Sequence, residues 1–206
     1  MDNRMESLLS EYHTRAAAEA ALMKATPYTE LASRIDEFLI SVGPNTGSLI
    51  NVLARESKAK TILELGTSYG YSSVWLADAA RETGGRVVTL ELSQKKSAYA
   101  QAALAKAGLD IYVDFRVGDA LQLLKDIAGP IDFVLVDLWK DLYVPCFDLF
   151  LPKLGEGAIL VADNMLEPPF SRADAEAYRA HVRATGRFDT VLLPVGSGIE
   201  LSRLRA

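Results

Sequence analysis

The sequence predicts an α/β protein built on a single mostly parallel sheet of seven strands, with helices on both faces and an antiparallel hairpin at the C-terminus. Three observations lead there. Thr61–Leu65 is a short apolar run that stops at a glycine turn and is followed by a helical pattern. From Thr61 onward, strand-length runs alternate with helix-length segments, which implies right-handed crossovers and parallel pairing. The last two strand-like runs are separated only by Pro194-Val195-Gly196-Ser197-Gly198, short enough for a hairpin and hence an antiparallel edge.

In chain order, residues 5–25 carry good helix formers with Leu8, Leu9, Tyr12 and Leu22 among them, and end at Thr26-Pro27. Residues 31–42 predict a second, amphipathic helix with Leu31, Ile35, Phe38, Leu39 and Val42 on one face. Gly43-Pro44-Asn45-Thr46-Gly47 reads as a break, and residues 48–56 as a helix leading into the first strand. Then come strand 61–65, a helix from Tyr71, strand 86–91, helix 94–107 ended by Gly108, strand 111–117, helix 120–127 and strand 131–136. A helix over 141–151 with a disruptive Pro145, strand 157–162, helix 172–184 and strands 188–193 and 199–204 complete the chain. A chain of 206 residues is expected to form one domain, 1–206, with residues 1–57 as an N-terminal helical cap on a core of 58–206.

Composition narrows the function. Half the residues are hydrophobic, a quarter are charged, and the net charge is −5 with Lys and Arg scattered, so a nucleic-acid surface is not expected. The single cysteine, Cys146, permits no internal disulfide and suits a reducing compartment; it reads as a buried apolar residue. No apolar run reaches membrane-spanning length, and the polar N-terminus does not read as a signal peptide, so a cytoplasmic protein is the expectation. His13 and His181 fall on predicted helices away from the strand ends and read as surface residues.

Ligands of such sheets sit at the carboxyl ends of the strands. Glu64 and Gly66 lie after the first strand, Glu91 at the end of the second, Gly118-Asp119-Ala120 after the third, Asp137–Lys140 after the fourth and Asp163-Asn164 after the fifth. The first turn is E-x-G-x-x-x-G, with Ser68 where a dinucleotide fingerprint has its second glycine, which argues against NAD. By itself this turn is compatible with a ligand loop and with an ordinary α/β connection. Glu91 stands where an acid binds ribose hydroxyls, a position that NAD-type cofactors share. Asp119 reads as a helix N-cap able to meet a ligand as well. Asp137, Asp163 and Asn164 offer hard oxygen ligands from two neighbouring strand ends, a set suited to Mg²⁺ or Ca²⁺. Lys140, three residues past Asp137, reads by itself as a surface lysine and, beside a divalent cation that disfavours its charged form, as a base; Trp139 reads as a cofactor wall or a core residue.

The segments ELGTSYGYSS, DLWKDLY and LVADN together resemble the catechol O-methyltransferase-like family of class I S-adenosylmethionine-dependent methyltransferases, including bacterial small-molecule enzymes. The resemblance runs from about Gly43 to the C-terminus. It implies a Rossmann-like seven-stranded methyltransferase sheet, S-adenosylmethionine as donor and a divalent metal, usually Mg²⁺. It implies Asp137, Asp163 and Asn164 as metal ligands and Lys140 as catalytic base. Glu64, Gly66, Tyr71, Ser72, Glu91, Gly118 and Trp139 match cofactor-site positions, with Thr67, Ser68, Leu92, Asp119, Ala120 and Asp137 as adjoining candidates. The sequence departs from the animal enzymes at Leu138, where they have a histidine, and near Val191, where no counterpart of their substrate-side glutamate is found. The expected acceptor is a small molecule, catechol-like or with other vicinal oxygens. The extra N-terminal helices suit a pocket cover or a homodimer contact. The alternatives are a metal-independent small-molecule methyltransferase and a non-catalytic S-adenosylmethionine-binding protein.

Overall fold

The computed structural model describes residues 2–27, 30 and 34–205. Seven strands form one sheet: β1 (Thr61–Leu65), β2 (Arg86–Glu91), β3 (Val113–Val117), β4 (Ile131–Val136), β5 (Leu154–Ala162), β6 (Phe188–Leu193) and β7 (Ile199–Leu204). Their order is β3-β2-β1-β4-β5-β7-β6. The first five pair in parallel, and β7 runs antiparallel to both β5 and β6. The strand order reverses between β1 and β4, and that reversal opens the crevice in which sheets of this kind bind ligands.

The period of two in the strands divides the core. Ile62, Phe133 and Leu135 face one apolar cluster, while Leu63, Leu65, Val134 and Val136 face the other. The first cluster is closed by α1 (Asn3–Ala25), α2 (Gly43–Glu56), α3 (Tyr71–Thr83) and α4 (Gln94–Ala107). The second is closed by α5 (Ala120–Leu123), α6 (Tyr143–Phe150) and α7 (Arg172–Ala184). Cys146 is buried in this second cluster, as its apolar neighbours predict. No helix among the described residues is long and apolar enough to cross a membrane.

Several local expectations need correction. Where one helix was expected over 31–42, residues 31–33 lie outside the described set, and the chain from Ile35 makes a single 3₁₀ turn before becoming extended. The Leu39 amide is taken by the Glu19 carboxylate of α1 instead of a helical carbonyl, and Phe38, Leu39 and Val42 still reach the core. The expected break at Gly43–Gly47 is the first turn of α2. Pro44 lies where a helix can spare the amide, and Gly47 lets α2 press on the Trp75 indole, 2.3 Å from where a Cβ would stand. Pro145 falls in the first turn of α6 and is no disruption. The third strand is shorter than expected because residues 110–112 form a 3₁₀ turn, and the helix expected over 120–127 passes into 3₁₀ after Leu123. β5 begins at Leu154 rather than Gly157, pairing with Ile131 across a register shift.

Candidate active site

The glycine turn between β1 and α3 is held from both sides. The Gly66 and Thr67 amides donate to the Leu90 carbonyl at 3.0 and 3.2 Å, and the Asp137 amide donates to the Leu65 carbonyl at 2.9 Å. Gly66 has φ +100°, and a Cβ there would lie 1.9 Å from the Asp137 carbonyl oxygen, so the protein's own backbone demands this glycine. Gly70 has φ +89° and a Cβ would meet the Ala100 methyl at 2.7 Å, so the second glycine serves the packing of α3 on α4. Ser68 adopts φ 47° and donates its amide to Glu91 Oε2 at 2.8 Å. The other Glu91 oxygen accepts the Ser93 amide at 2.9 Å. Two backbone bonds therefore fix this half-buried carboxylate at the end of β2, and a carboxylate oxygen has further capacity to accept hydroxyls.

Glu64 lies lower. It is wholly buried, with Oε2 accepting from Ser73 Oγ at 2.5 Å and Thr89 Oγ1 at 2.6 Å, while Oε1 has no partner among the described residues. Burial pushes its carboxyl up to about 7, against the opposing hydroxyls of Ser72, Ser73 and Thr89. Thr67 is buried beside it, its hydroxyl paired with Thr89. Ser73 and Thr89 are parts of this floor that the sequence does not announce; they are found only once β2 and α3 are laid against β1.

Tyr71 and Ser72 are buried at the start of α3. The Tyr71 hydroxyl bonds to His13 Nε2 at 2.9 Å, and its ring meets Tyr12 edge-on at 5.7 Å. His13 is exposed as expected, but it is this tyrosine's partner. The N-terminal segments clasp the turn further: Tyr12 Oη donates to the Tyr69 carbonyl at 2.5 Å, Tyr69 Oη to the Glu37 carbonyl at 3.1 Å, and the Arg15 guanidinium lies 4.0 Å from the Tyr69 ring centre. Gly118 has φ +150°, and Asp119 caps α5 by accepting the Gln122 amide at 3.0 Å, as its sequence position predicts. Asp119 is exposed, Ala120 half-buried, and Leu92 is 73 % exposed beside Glu91. Trp139 is 58 % exposed, so it is not a core residue.

The acids and the lysine meet at the ends of β4 and β5. Val136 and Ala162 are register partners, and the Asp163 amide donates to the Val136 carbonyl at 3.1 Å, so Asp137 and Asp163 leave adjacent strands side by side. Asp163 is buried, with Oδ1 unpartnered among the described residues. Burial raises both carboxyls, the charge of Asp137 raises that of Asp163 further, and the Lys140 ammonium pulls both back. Asn164 follows in the left-handed region at φ 56°, which an asparagine tolerates. Lys140 Nζ donates to Asn164 Oδ1 at 3.2 Å and to Tyr143 Oη at 2.6 Å. Burial lowers its basicity, outweighing the two nearby carboxylates. Tyr143 was visible in the DLWKDLY block, one turn beyond Lys140, but nothing in the sequence said its hydroxyl would face the amine.

Among the described residues no three His, Cys, Asp or Glu side chains form a metal centre. The trio of Asp137, Asp163 and Asn164 supplies two carboxylates and an amide. Its fit to a divalent cation rests on the orphaned Asp163 oxygen and on the raised carboxyls of Asp137 and Asp163, whose charged forms a bound cation would favour.

Comparison with known proteins bears on this site. A sequence profile for the family described as O-methyltransferase matches residues 15–205. A catechol O-methyltransferase from Niastella koreensis is 38% identical over 157 residues, spanning 74% of this chain and 70% of that one. The O-methyltransferase TomG from Streptomyces achromogenes, involved in tomaymycin synthesis and solved in complex with SAM, superposes with a TM-score of 0.74 at 29% identity, over 85% of this chain and 87% of that one. An O-methyltransferase from Bacillus cereus, solved with SAH, gives a TM-score of 0.74 at 27% identity over 100% of this chain and 92% of that one.

Proposed function

We propose a reaction for this crevice from one premise: the chain belongs to the O-methyltransferase family, as an S-adenosylmethionine-dependent enzyme. The acceptor in this reading is a hydroxyl of a small molecule carrying two adjacent oxygens, of the catechol kind. The observation that supports it most is the meeting of Asp137, Asp163, Asn164 and Lys140 at two adjacent strand ends beside the glycine turn.

Each residue has a task. Glu91 would accept the ribose hydroxyls of the donor, since its two backbone bonds already fix its direction. The turn from Gly66 through Ser68 to Ser72, with Leu92 and Gly118–Ala120, would line the donor's place, and the exposed Trp139 ring would wall its planar base. The N-terminal residues would act as a cap, a role that the contacts of Tyr12, Arg15 and Glu37 with Tyr69 support. Asp137, Asp163 and Asn164 would hold a divalent cation, for which Mg²⁺ is the best match. When bound, such an ion supplies Lewis acidity that lowers the pKa of a chelated hydroxyl.

Lys140 then takes the acceptor's hydroxyl proton. The freed oxygen attacks the donor's methyl carbon in line; the new O–C bond forms as the C–S bond breaks, and the sulfonium leaves as a neutral thioether. The chain's main contribution is alignment, because acceptor oxygen, methyl and sulfur must lie on one line. The test is methyl transfer to an ortho-diphenol by wild type and Lys140→Ala. A loss of about 10²- to 10⁴-fold in kcat with the fold retained supports the base; wild-type kcat in the variant refutes it.

A further inference from the structure

We propose that Tyr143 is a positioning residue for this reaction: its phenol oxygen holds Lys140 Nζ so that the nitrogen's one free direction is left for the acceptor's hydroxyl. The inference rests on the reading of Lys140 as the base. The lysine nitrogen has four tetrahedral directions, one of them taken by its own side-chain carbon. Lys140 Nζ donates to Tyr143 Oη at 2.6 Å and to Asn164 Oδ1 at 3.2 Å. With two of the other three directions committed to these oxygens, one remains, whatever the charge on the nitrogen. Turning it elsewhere breaks one of these bonds.

A tyrosine could defeat this arrangement by turning its own proton toward the nitrogen. Here it does not, because the Tyr143 hydroxyl donates to the main-chain carbonyl of Asp163 at 3.2 Å. Toward Lys140 the oxygen can therefore only accept. The carbonyl sits at the end of β5 and is part of the sheet's frame. The ring is wholly buried and packs edge-on against Tyr178, with centres 5.4 Å apart and planes at 86°. The hydroxyl is thus a fixed acceptor on a rigid support, one turn from the lysine it directs.

Tyr143→Phe keeps the ring and its packing and removes only the oxygen. The expected result is a fall in kcat of about ten- to a hundredfold, as for a reacting group displaced by about an ångström, with KM for donor and acceptor held within about twofold. The Lys140→Ala background decides whether the effect passes through the lysine: there, Tyr143→Phe should change kcat by less than about twofold. Two results would overturn the proposal: wild-type kcat in Tyr143→Phe while Lys140→Ala is impaired, or the same fold loss in both backgrounds. Wild-type kcat in Lys140→Ala would instead refute the underlying base assignment, and the inference with it.

Discussion

Replacing Glu64 by Gln should remove most of a pH dependence of stability that the fold builds into its own floor. In the folded protein burial raises this carboxyl from its ordinary 4.5 to about 7. Between these values the folded state keeps a proton that the unfolded chain has lost. Stability therefore falls as pH rises through that window, and the cost of the buried charge is complete above pH 7. The gap between the two values is worth about 3 kcal/mol, of which about 2 kcal/mol is expressed between pH 5 and pH 8. Glu64 is fully buried, so solvent screening does not reduce this figure. A glutamine retains an acceptor for Ser73 and Thr89 and has no proton to lose over this range. Urea unfolding of both proteins, free of ligand, at pH 5 and pH 8 makes the comparison; Asp163 and Asp137 titrate in both, the charge of Asp137 being the least of the causes that raise Glu64. The stability difference should move by about 2 kcal/mol in favour of the variant at the higher pH. A difference constant to within about 0.5 kcal/mol would refute the burial argument.

Three further variants test the same structure. Gly66→Ala sets a methyl against the Asp137 carbonyl as well as straining the backbone, and should cost about 4 kcal/mol or more in urea unfolding. Gly43→Ala meets open space at a comparable positive φ of +79° and should cost only about 1–2 kcal/mol, the backbone share alone. Asp163→Asn should raise the stability of metal-free protein by about 1 kcal/mol at pH 8, by removing a buried charge beside Asp137, and lower turnover about a hundredfold or more. Thermal unfolding and methyl-transfer assays on one preparation check both halves.

How far the sequence could be read depended on how local the cause was. The strands from β1 to β7 follow from apolar runs and turn residues a few positions apart, and all seven are present. The failures lie where a distant group decided. The chain after Glu37 is extended where its amide at Leu39 meets Glu19, twenty residues earlier. Pro44 and Pro145 read as breakers in the sequence, yet each stands in a helix's first turn, where its missing amide costs nothing. In the crevice, Asp137, Lys140 and Asp163 could be placed because strand ends are where ligands bind. The partners of Glu64 could not, since Ser73 and Thr89 come from separate elements with no spacing to link them. Gly66 and Gly70 were noticed for a ligand's sake, but backbone crossing and helix packing require them.

The central claim is that two strand-end acids, an amide and a lysine perform metal-assisted methyl transfer. Its most direct test is turnover of an ortho-diphenol by rigorously metal-stripped protein, titrated with Mg²⁺ in parallel with Asp163→Asn. Wild type should be silent without metal and recover as Mg²⁺ is added, while the variant stays about a hundredfold or more below it at the same concentrations. Full turnover by verified metal-free protein, unchanged by Mg²⁺, would contradict it.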